Sequence, residues 1–213
     1  MTIAIIDYGI GNLKSISRLI ELSANLAEVS PKIIITHDPK VICASDRIIL
    51  PGVGCFQDCW SKLNKINGLI NSLNYVALAQ SKPVLGICVG MQLMASLSLE
   101  LQKTNGLNWI PGLVTRLTPS QYVRTPHVGW NVIDVVINHR LFENIPLGPN
   151  GQTAYFAHSY SYEVIDTCNL LATTTYGKQI TAVVAKDNLI GVQFHPEKSH
   201  TFGLMFMKNF ITW

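Results

Sequence analysis

Charged residues are scarce in this sequence: they make up 14% of the 213 residues, and the net charge is +3. The basic residues are spread without runs, whereas a nucleic-acid-binding surface or a charged disordered tail needs them clustered. The hydrophobic content of 48% is enough for one sizeable core. We therefore predict a single domain over residues 1–213 that does not bind nucleic acid.

Long hydrophobic runs are also missing. No stretch approaches the roughly 18 apolar residues that mark a membrane helix. The apolar run at the N-terminus has no cationic lead and is interrupted at Asp7, unlike a secretory signal. We predict a cytoplasmic protein that has no membrane partner.

Paired cysteines are absent as well. The five cysteines form no CxxC pair, which argues against both a disulfide framework and a structural zinc site. Cys55 and Cys59 have helical spacing and could share a metal with histidines, but four-ligand sites normally need two such clusters. We predict reduced thiols, with no metal and no cofactor.

Short apolar runs alternate with helical patterns in the first half of the chain. The strand pattern occurs at residues 3–6, 32–36, 47–50 and 83–87. Helical periodicity is found at residues 12–24, 56–80 and 91–97, and Asp38 can cap a short helix that starts at Pro39. This alternation predicts an α/β fold: an open sheet, mixed but mainly parallel, with helices on both faces.

The second half of the chain contains mostly extended runs. They lie at residues 130–137, 154–162, 170–175, 181–185 and 189–194. Hairpin connections such as Lys186-Asp187-Asn188 predict that this half adds an antiparallel extension to the sheet. A closing helix is predicted over residues 201–210.

Glycine-rich turns follow three of the predicted strands, at Gly9, Gly52 and Gly86 to Gly90. The carboxyl ends of parallel strands meet at one edge of a sheet, where ligands bind. We expect these turns to converge on a functional site.

Cys88 lies at the centre of the last of these turns, between a buried strand and a helix. This position predicts a nucleophile elbow, in which Gly86 and Gly90 avoid a collision with the opposing backbone. The amide dipoles at the start of the helix would favour the thiolate. A buried, inert cysteine between packing glycines is the alternative that this motif alone leaves open.

His195 and Glu197 supply the groups that such a cysteine needs. Because side chains alternate along extended chain, these two point the same way, and Pro196 keeps the segment from becoming helical. His195 could accept the thiol proton while Glu197 orients the imidazole. A lone His-Pro-Glu could equally hold a structural histidine, and its pairing with the elbow favours catalysis.

Acyl transfer from an amide also requires donors for the developing negative charge on oxygen. The N–H of Val89, directly after the nucleophile, is one candidate. The second is the N–H of Val53, because its neighbours Gly52 and Gly54 let the peptide plane turn toward the site. A simple strand-ending turn would explain Pro51-Gly52 equally well.

Together these motifs resemble the class I glutamine amidotransferase family, whose fold is flavodoxin-like and whose triad is Cys, His and Glu in that order. The signature lies in residues 86–93 and 195–197. Further segments resemble the glutaminase subunits of imidazole glycerol phosphate synthases, so that the likeness covers nearly the whole chain; these segments are residues 6–13, 51–56, 126–131, 155–160 and 191–199.

This resemblance implies that the chain hydrolyses L-glutamine and passes ammonia to a (β/α)8-barrel synthase in a heterodimer. The products would be imidazole glycerol phosphate, for histidine biosynthesis, and an aminoimidazole carboxamide ribonucleotide. It also implies roles by position. Cys88 is the nucleophile, His195 the base and Glu197 its orienter. Gly54 and Gln92 contact glutamine, and Val53 donates to the oxyanion. The residues that face the synthase are Asn12, Trp130, Tyr155 and Lys198.

Some positions depart from the family pattern. Residues 98–103 replace an expected acidic run, and Asn108-Trp109 interrupts a stretch that usually has small residues. These departures leave open a paralogue that serves surface-sugar amidination. A non-catalytic regulatory subunit and a cysteine peptidase of related fold are further alternatives, disfavoured because all three triad positions, including the carboxylate at Glu197, are occupied.

Overall fold

The computed structural model describes residues 1–118 and 123–213. The α-helices of these residues are Leu13–Leu26 (α1), Pro39–Ala44 (α2), Phe56–Lys65 (α3), Leu69–Asn74 (α4), Val89–Gln92 (α5) and His200–Thr212 (α6). A π-helical segment spans Tyr75–Ala79, and 3-10 turns span Arg140–Phe142, Thr167–Asn169 and Pro196–Lys198. Within the described residues, no helix combines the length and the apolarity needed to cross a bilayer.

The strands form an eight-stranded, a two-stranded and a four-stranded sheet. They are Thr2–Ile6 (β1), Lys32–Thr36 (β2), Arg47–Leu50 (β3), Val84–Ile87 (β4), Leu97–Ser98 (β5), Thr104–Asn105 (β6), Gly112–Arg116 (β7), His127–Val132 (β8), Asp134–Val135 (β9), Thr153–His158 (β10), Tyr160–Val164 (β11), Leu170–Tyr176 (β12), Lys178–Lys186 (β13) and Leu189–Val192 (β14).

The large sheet has the strand order β2-β1-β3-β4-β14-β13-β12-β9. Its first five strands are parallel, and β13, β12 and β9 continue it in antiparallel pairs. Strands β4 and β14 are buried along their whole length, as both faces of the sheet are covered. Helix α1 packs against α6, and α2 and α3 pack against α4. The predicted mainly parallel α/β sheet with an antiparallel extension is confirmed.

The helical stretch predicted at residues 56–80 is helical in the structure but is interrupted once. The chain forms α3 and α4 with a break at Gly68, whose φ of 76° lies in the left-handed region that favours glycine. The short helix α2 matches its prediction, because the Asp38 carboxylate accepts a hydrogen bond from the Lys40 N–H at 2.8 Å.

The helix predicted over residues 91–97 is too long. Helix α5 ends at Gln92, and Leu97 belongs to strand β5, which pairs with β7. The carbonyls of the next turn are taken by a later segment: Leu93 O accepts from Leu107 N at 2.7 Å, and Met94 O accepts from Trp109 N at 2.9 Å. These long-range bonds replace the helical bonds that would have continued α5.

Two extended runs in the second half are each divided between sheets. The run at residues 130–137 is broken at Ile133 into β8, in the two-stranded sheet, and β9, at the edge of the large sheet. The run at residues 154–162 is broken at Ser159 into β10 and β11, which also belong to different sheets.

Helix α6 holds the end of β14 in place through aromatic packing. Phe194 follows β14 and is fully buried, with ring centroids 5.2 Å from Phe202 and 5.4 Å from Phe206 of the helix. Edge-to-face contacts of this kind add to the stability that burial provides. The segment that carries His195 is therefore anchored on the core directly before the functional site.

Candidate active site

The carboxyl ends of β3, β4 and β14 lie side by side, because these strands are adjacent and parallel. The loop at residues 51–54 follows β3, Cys88 follows β4, and His195 comes shortly after β14. Cys88 N donates to Val192 O at 2.8 Å, which joins two of these strand ends directly. The predicted convergence is confirmed for the turns at Gly52 and at Gly86 to Gly90.

Cys88 occupies a strained turn between β4 and α5. Its φ is 54° and its ψ is −111°, a backbone conformation that non-glycine residues rarely adopt. A Cβ on Gly86 would lie 2.6 Å from Gly90 O, and a Cβ on Gly90 would lie 1.9 Å from Leu50 O. The predicted requirement for glycine on either side of the elbow is thereby confirmed.

His195 is oriented by Glu197, as its Nδ1 lies 2.9 Å from Glu197 Oε1. Both side chains are buried. Burial alone would lower the pKa of His195, but hydrogen bonds to Cys88 and Glu197, with the negative charges of these groups, raise it to about 10. Neutral pH therefore favours the imidazolium form of His195.

The backbone of His195 is held by a buried hydroxyl and by β10. Ser199 Oγ donates to His195 O at 2.6 Å and accepts from Tyr155 N at 2.9 Å. His195 N donates to Tyr155 O at 2.8 Å. Three hydrogen bonds thus fix the peptide from which the imidazole projects.

The loop at residues 51–54 places a carbonyl where an oxyanion donor was predicted. The Val89 N–H donates to Gly52 O at 3.3 Å, so this donor is occupied in the structure. A Cβ on Gly52 would lie 2.5 Å from Gly90 N, so no larger residue fits this approach. Val53 itself is exposed, and its carbonyl accepts from Cys59 Sγ at 3.5 Å.

Two buried side chains beneath this loop escaped the sequence prediction. The Tyr8 hydroxyl donates to Pro51 O at 2.5 Å. Burial raises the pKa of the Cys59 thiol to about 11, which keeps it protonated as a donor to Val53 O. Tyr8 lies in a conspicuous Asp-Tyr-Gly turn, but the sequence does not indicate that its hydroxyl reaches the next loop.

A cavity of about 410 Å³ opens above the thiol, within the range of small-molecule sites. Its lining includes the predicted residues Val53, Gly54, Cys88, Val89, Gln92, His195 and Lys198. It also includes Glu100, which the sequence prediction did not select. Glu100 Oε2 accepts from Phe56 N at 2.8 Å at the start of α3, which fixes a carboxylate at the cavity wall.

Gln92 has a more restricted position than predicted. Its side chain is buried, and its amide nitrogen donates to Tyr160 O at 3.2 Å and to Gln193 Oε1 at 3.0 Å. Both hydrogens of the amide are used in this way, which leaves the amide oxygen as the group that Gln92 can present to a ligand.

Three of the four predicted interface residues form one aromatic and basic cluster. The Trp130 and Tyr155 rings meet edge to face at 5.0 Å, and Lys198 Nζ lies 5.5 Å from the Tyr155 ring centroid. Trp130 is 56% exposed. The fourth residue, Asn12, is exposed at the start of α1, which packs against the 3-10 turn that carries Lys198.

Solved structures share this fold at low sequence identity. One described as a glutamine amidotransferase has a TM-score of 0.70 and 14% identity, and covers 98% of this chain and 97% of its own. The structure of PurLQS from Thermotoga maritima has a TM-score of 0.67 and 17% identity, and covers 99% and 95%. At this identity, the likeness establishes the fold alone.

Sequence comparisons give the family. The profile described as "Glutamine amidotransferase class-I" matches residues 4–213. The protein named imidazole glycerol phosphate synthase subunit HisH of Bradyrhizobium diazoefficiens is 46% identical over 100% of this chain and 99% of its own length. The protein of the same name from Brucella melitensis is 45% identical over the same shares. The chain therefore belongs to the class-I glutamine amidotransferase family, in the group of the HisH subunits.

Proposed function

We propose that this chain hydrolyses L-glutamine and supplies the ammonia to a synthase subunit that makes imidazole glycerol phosphate and the aminoimidazole carboxamide ribonucleotide in histidine biosynthesis. The observation that carries the proposal is the assembly of Cys88, His195 and Glu197 at one cavity, with the first two in its wall and the third on the imidazole. The names of the HisH relatives support the pathway.

Cys88 acts as the nucleophile in two steps. The thiolate attacks the side-chain amide carbon of glutamine, and the tetrahedral intermediate collapses when the imidazolium of His195 gives its proton to the departing nitrogen. Ammonia and a γ-glutamyl thioester result. Neutral His195 then takes a proton from water, which attacks the thioester and releases glutamate, and the sulfur leaves as a thiolate. Glu197 stabilises the imidazolium in both steps.

The oxyanion donors are the N–H groups of Val89 and Val53. Because Gly52 O accepts from Val89 N in the structure, the peptide after Gly52 has to turn before Val89 can donate to a substrate. This rotation changes ψ of Gly52 and φ of Val53, and Gly52 has no Cβ to oppose it. We infer that the lone chain has low glutaminase activity and that the bound synthase favours the rotated loop.

Recognition of glutamine uses charges at the cavity wall. Glu100 is a carboxylate fixed by the Phe56 N–H, and it pairs with the α-ammonium of the amino acid. The amide oxygen of Gln92 accepts from the same ammonium, since its nitrogen is committed elsewhere. Gly54 contacts the substrate backbone.

The partner is a (β/α)8-barrel synthase that docks on the cluster of Trp130, Tyr155 and Lys198, with Asn12 at its margin. Exposed aromatic residues beside a basic residue are enriched at protein interfaces. The cluster adjoins the cavity through Lys198, which lines it. Ammonia would thus be released close to the docking face.

The test is glutamine hydrolysis by the complex of this chain with the barrel synthase encoded beside it, obtained by co-purification. The histidine-pathway nucleotide serves as the acceptor of ammonia. Cys88→Ala is expected to abolish hydrolysis, while the complex still forms and still uses free ammonia. Cys168→Ala changes an exposed thiol and is the matched control with full activity. Retained hydrolysis in the Cys88 variant would refute the assignment of the nucleophile.

The influence of the synthase is tested separately. Turnover of glutamine is compared for the lone chain, the complex, and the complex with the acceptor nucleotide. We expect the rate to rise at each stage, because each favours the rotated loop. Equal turnover by the lone chain and the complex would contradict the inferred role of Gly52 O.

A further inference from the structure

A chain of buried amide groups leads from the Cys88 sulfur into the protein. Gln193 is fully buried directly after β14, and its Nε2 lies 3.7 Å from Cys88 Sγ. Its Oε1 accepts from Gln92 Nε2 at 3.0 Å, and the same nitrogen donates to Tyr160 O at 3.2 Å. Gln193 is therefore the link between the nucleophile and a fixed backbone carbonyl.

The Tyr160 carbonyl sets the donor and the acceptor of every hydrogen bond in this series of amide groups. A carbonyl can only accept, so the group of Gln92 that faces it is the NH2. The oxygen of Gln193 then has to face Gln92, since two NH2 groups cannot bond to each other. The NH2 of Gln193 is left pointing at Cys88, and the group nearest the sulfur is a donor.

A second branch reaches the same carbonyl through two buried histidines. His158 Nδ1 lies 2.8 Å from Tyr160 O and must donate, so its Nε2 is an acceptor. That nitrogen lies 3.0 Å from His127 Nδ1, which donates in turn. Burial lowers the pKa of both histidines to about 4, so that both are neutral at neutral pH. The branch restrains Tyr160 O and thereby the two amides.

We propose that Gln193 is a positioning residue for the glutaminase reaction, whose N–H donates to the Cys88 thiolate and holds the sulfur in place for attack. This rests on the proposed role of Cys88. Cys88 is 4% exposed, so few water molecules can solvate the charge of its sulfur, and a second donor besides His195 offsets that loss. Gln193 itself does not line the cavity, so this role requires no contact between Gln193 and glutamine.

The proposal is tested by alkylation of Cys88 with iodoacetamide between pH 6 and 9, read by peptide mass spectrometry to separate Cys88 from the other cysteines. Gln193→Glu keeps an oxygen for Gln92 but replaces the donor at the sulfur with a carboxylate oxygen. Gln193→Met keeps the length and removes both groups. Gln80→Leu changes an exposed glutamine and is the control.

For both Gln193 variants we expect the midpoint of the alkylation profile to move up by about one pH unit, so that alkylation on the acid side of the midpoint slows about tenfold, the effect of losing one hydrogen bond to a charged group. In the assembled synthase, kcat for glutamine should fall about tenfold in both variants, while KM should change less than about twofold in Gln193→Glu, which keeps the acceptor of Gln92. Gln80→Leu should match the unmodified chain in both assays.

Wild-type alkylation profiles in both folded variants would overturn the proposal, even if kcat fell, because a space-filling role would not move the sulfur's pH profile. If one variant does not fold, as judged by thermal unfolding, the other still decides. Alkylation needs no substrate, so a failure of the proposed glutaminase function would leave the profiles interpretable and would appear only in the Cys88→Ala assay.

Discussion

The two sides of the candidate active site are held in place by different forces. Cys88 is fixed by backbone packed on backbone: Gly90 lies so close to Leu50 that a single added carbon would reach its carbonyl oxygen. His195 is fixed by polar side chains, with Ser199 on its carbonyl and Glu197 on its ring. The elbow at Cys88 tolerates no added atom at Gly90, whereas the polar contacts of His195 can be removed one hydrogen bond at a time.

This difference follows from the chemistry of each group. The thiolate must sit above a helix N-terminus with its neighbours' amides exposed, which requires an unusual backbone conformation and close strand ends. The imidazole must accept and return a proton, which requires a tuned charge environment rather than a strained backbone. Substitutions on the cysteine side should therefore cause misfolding, whereas substitutions on the histidine side should cause a graded loss of activity.

The largest effect is expected for Gly90→Ala. The new Cβ would lie 1.9 Å from Leu50 O, so the start of α5 would have to move away from the end of β3. We expect a loss of about 4 kcal/mol or more in the free energy of unfolding, enough to prevent folding. Urea denaturation, followed by circular dichroism, measures it. Gly148→Ala is the control, since Gly148 has a positive φ, 94°, but open space around it.

A stable Gly90→Ala protein with a wild-type urea midpoint would contradict the proposed difference between the two sides, because the cysteine side would then tolerate added atoms. Gly148→Ala should lose only about 1 kcal/mol, the cost of a left-handed backbone for alanine.

On the histidine side, Glu197→Gln should fold normally and lose activity. The amide cannot neutralise the imidazolium, so the pKa of His195 falls and the thiolate–imidazolium pair weakens. We expect kcat of the assembled synthase to fall about 100-fold with glutamine, and not with free ammonia. The thermal midpoint should stay within a few degrees. Glu163→Gln, at an exposed carboxylate that accepts from Thr115, is the control and should be fully active.

Much of the cysteine side could be predicted from sequence because it depends on local patterns. The glycines at 86 and 90 and the apolar run before them are enough to indicate a strand, a tight turn and a helix. The same patterns placed the boundaries of β2 and β3 without error. Their signals lie within a few residues of the structure that they specify.

The parts that could not be predicted depend on distant partners. Helix α5 stops early because residues about 14 positions later, such as Leu107, bond to the carbonyls that follow it. Strands β8 and β9 separate at Ile133 because the chain passes from one sheet to another. Gln193 shows no local sign of its contact with Cys88, which arises from the pairing of β14 with β4. Long-range register, rather than propensity, decides each case.

A smaller effect on the histidine side is expected for Ser199→Ala. The change leaves His195 O and Tyr155 N without their shared partner in a buried place. We expect a loss of about 2 kcal/mol in stability and a several-fold decrease in kcat. Ser45→Ala is the control: Ser45 is also buried and donates to Val41 O, but it lies far from the site, so stability should fall without a change in kcat. Equal kcat losses in both variants would mean that Ser199 acts only through general stability.

The smallest expected effect is on how the free energy of unfolding depends on acidic pH. His127 and His158 have a pKa of about 4 in the folded chain and near 6.5 when unfolded, so between these values the unfolded chain binds more protons. Their stabilising contribution is complete above about pH 6.5 and is lost as the pH falls toward 4. His127→Gln removes one of the two groups and can still donate to His158. We expect it to reduce the loss of unfolding free energy between pH 7 and 5.5 by about 1 kcal/mol, measured by urea unfolding at each pH. His37→Gln, at an exposed histidine, should leave the pH slope unchanged. A pH slope that depends on His127 would assign the acid sensitivity of the fold to these two buried histidines, whereas an unchanged slope in His127→Gln would assign it elsewhere.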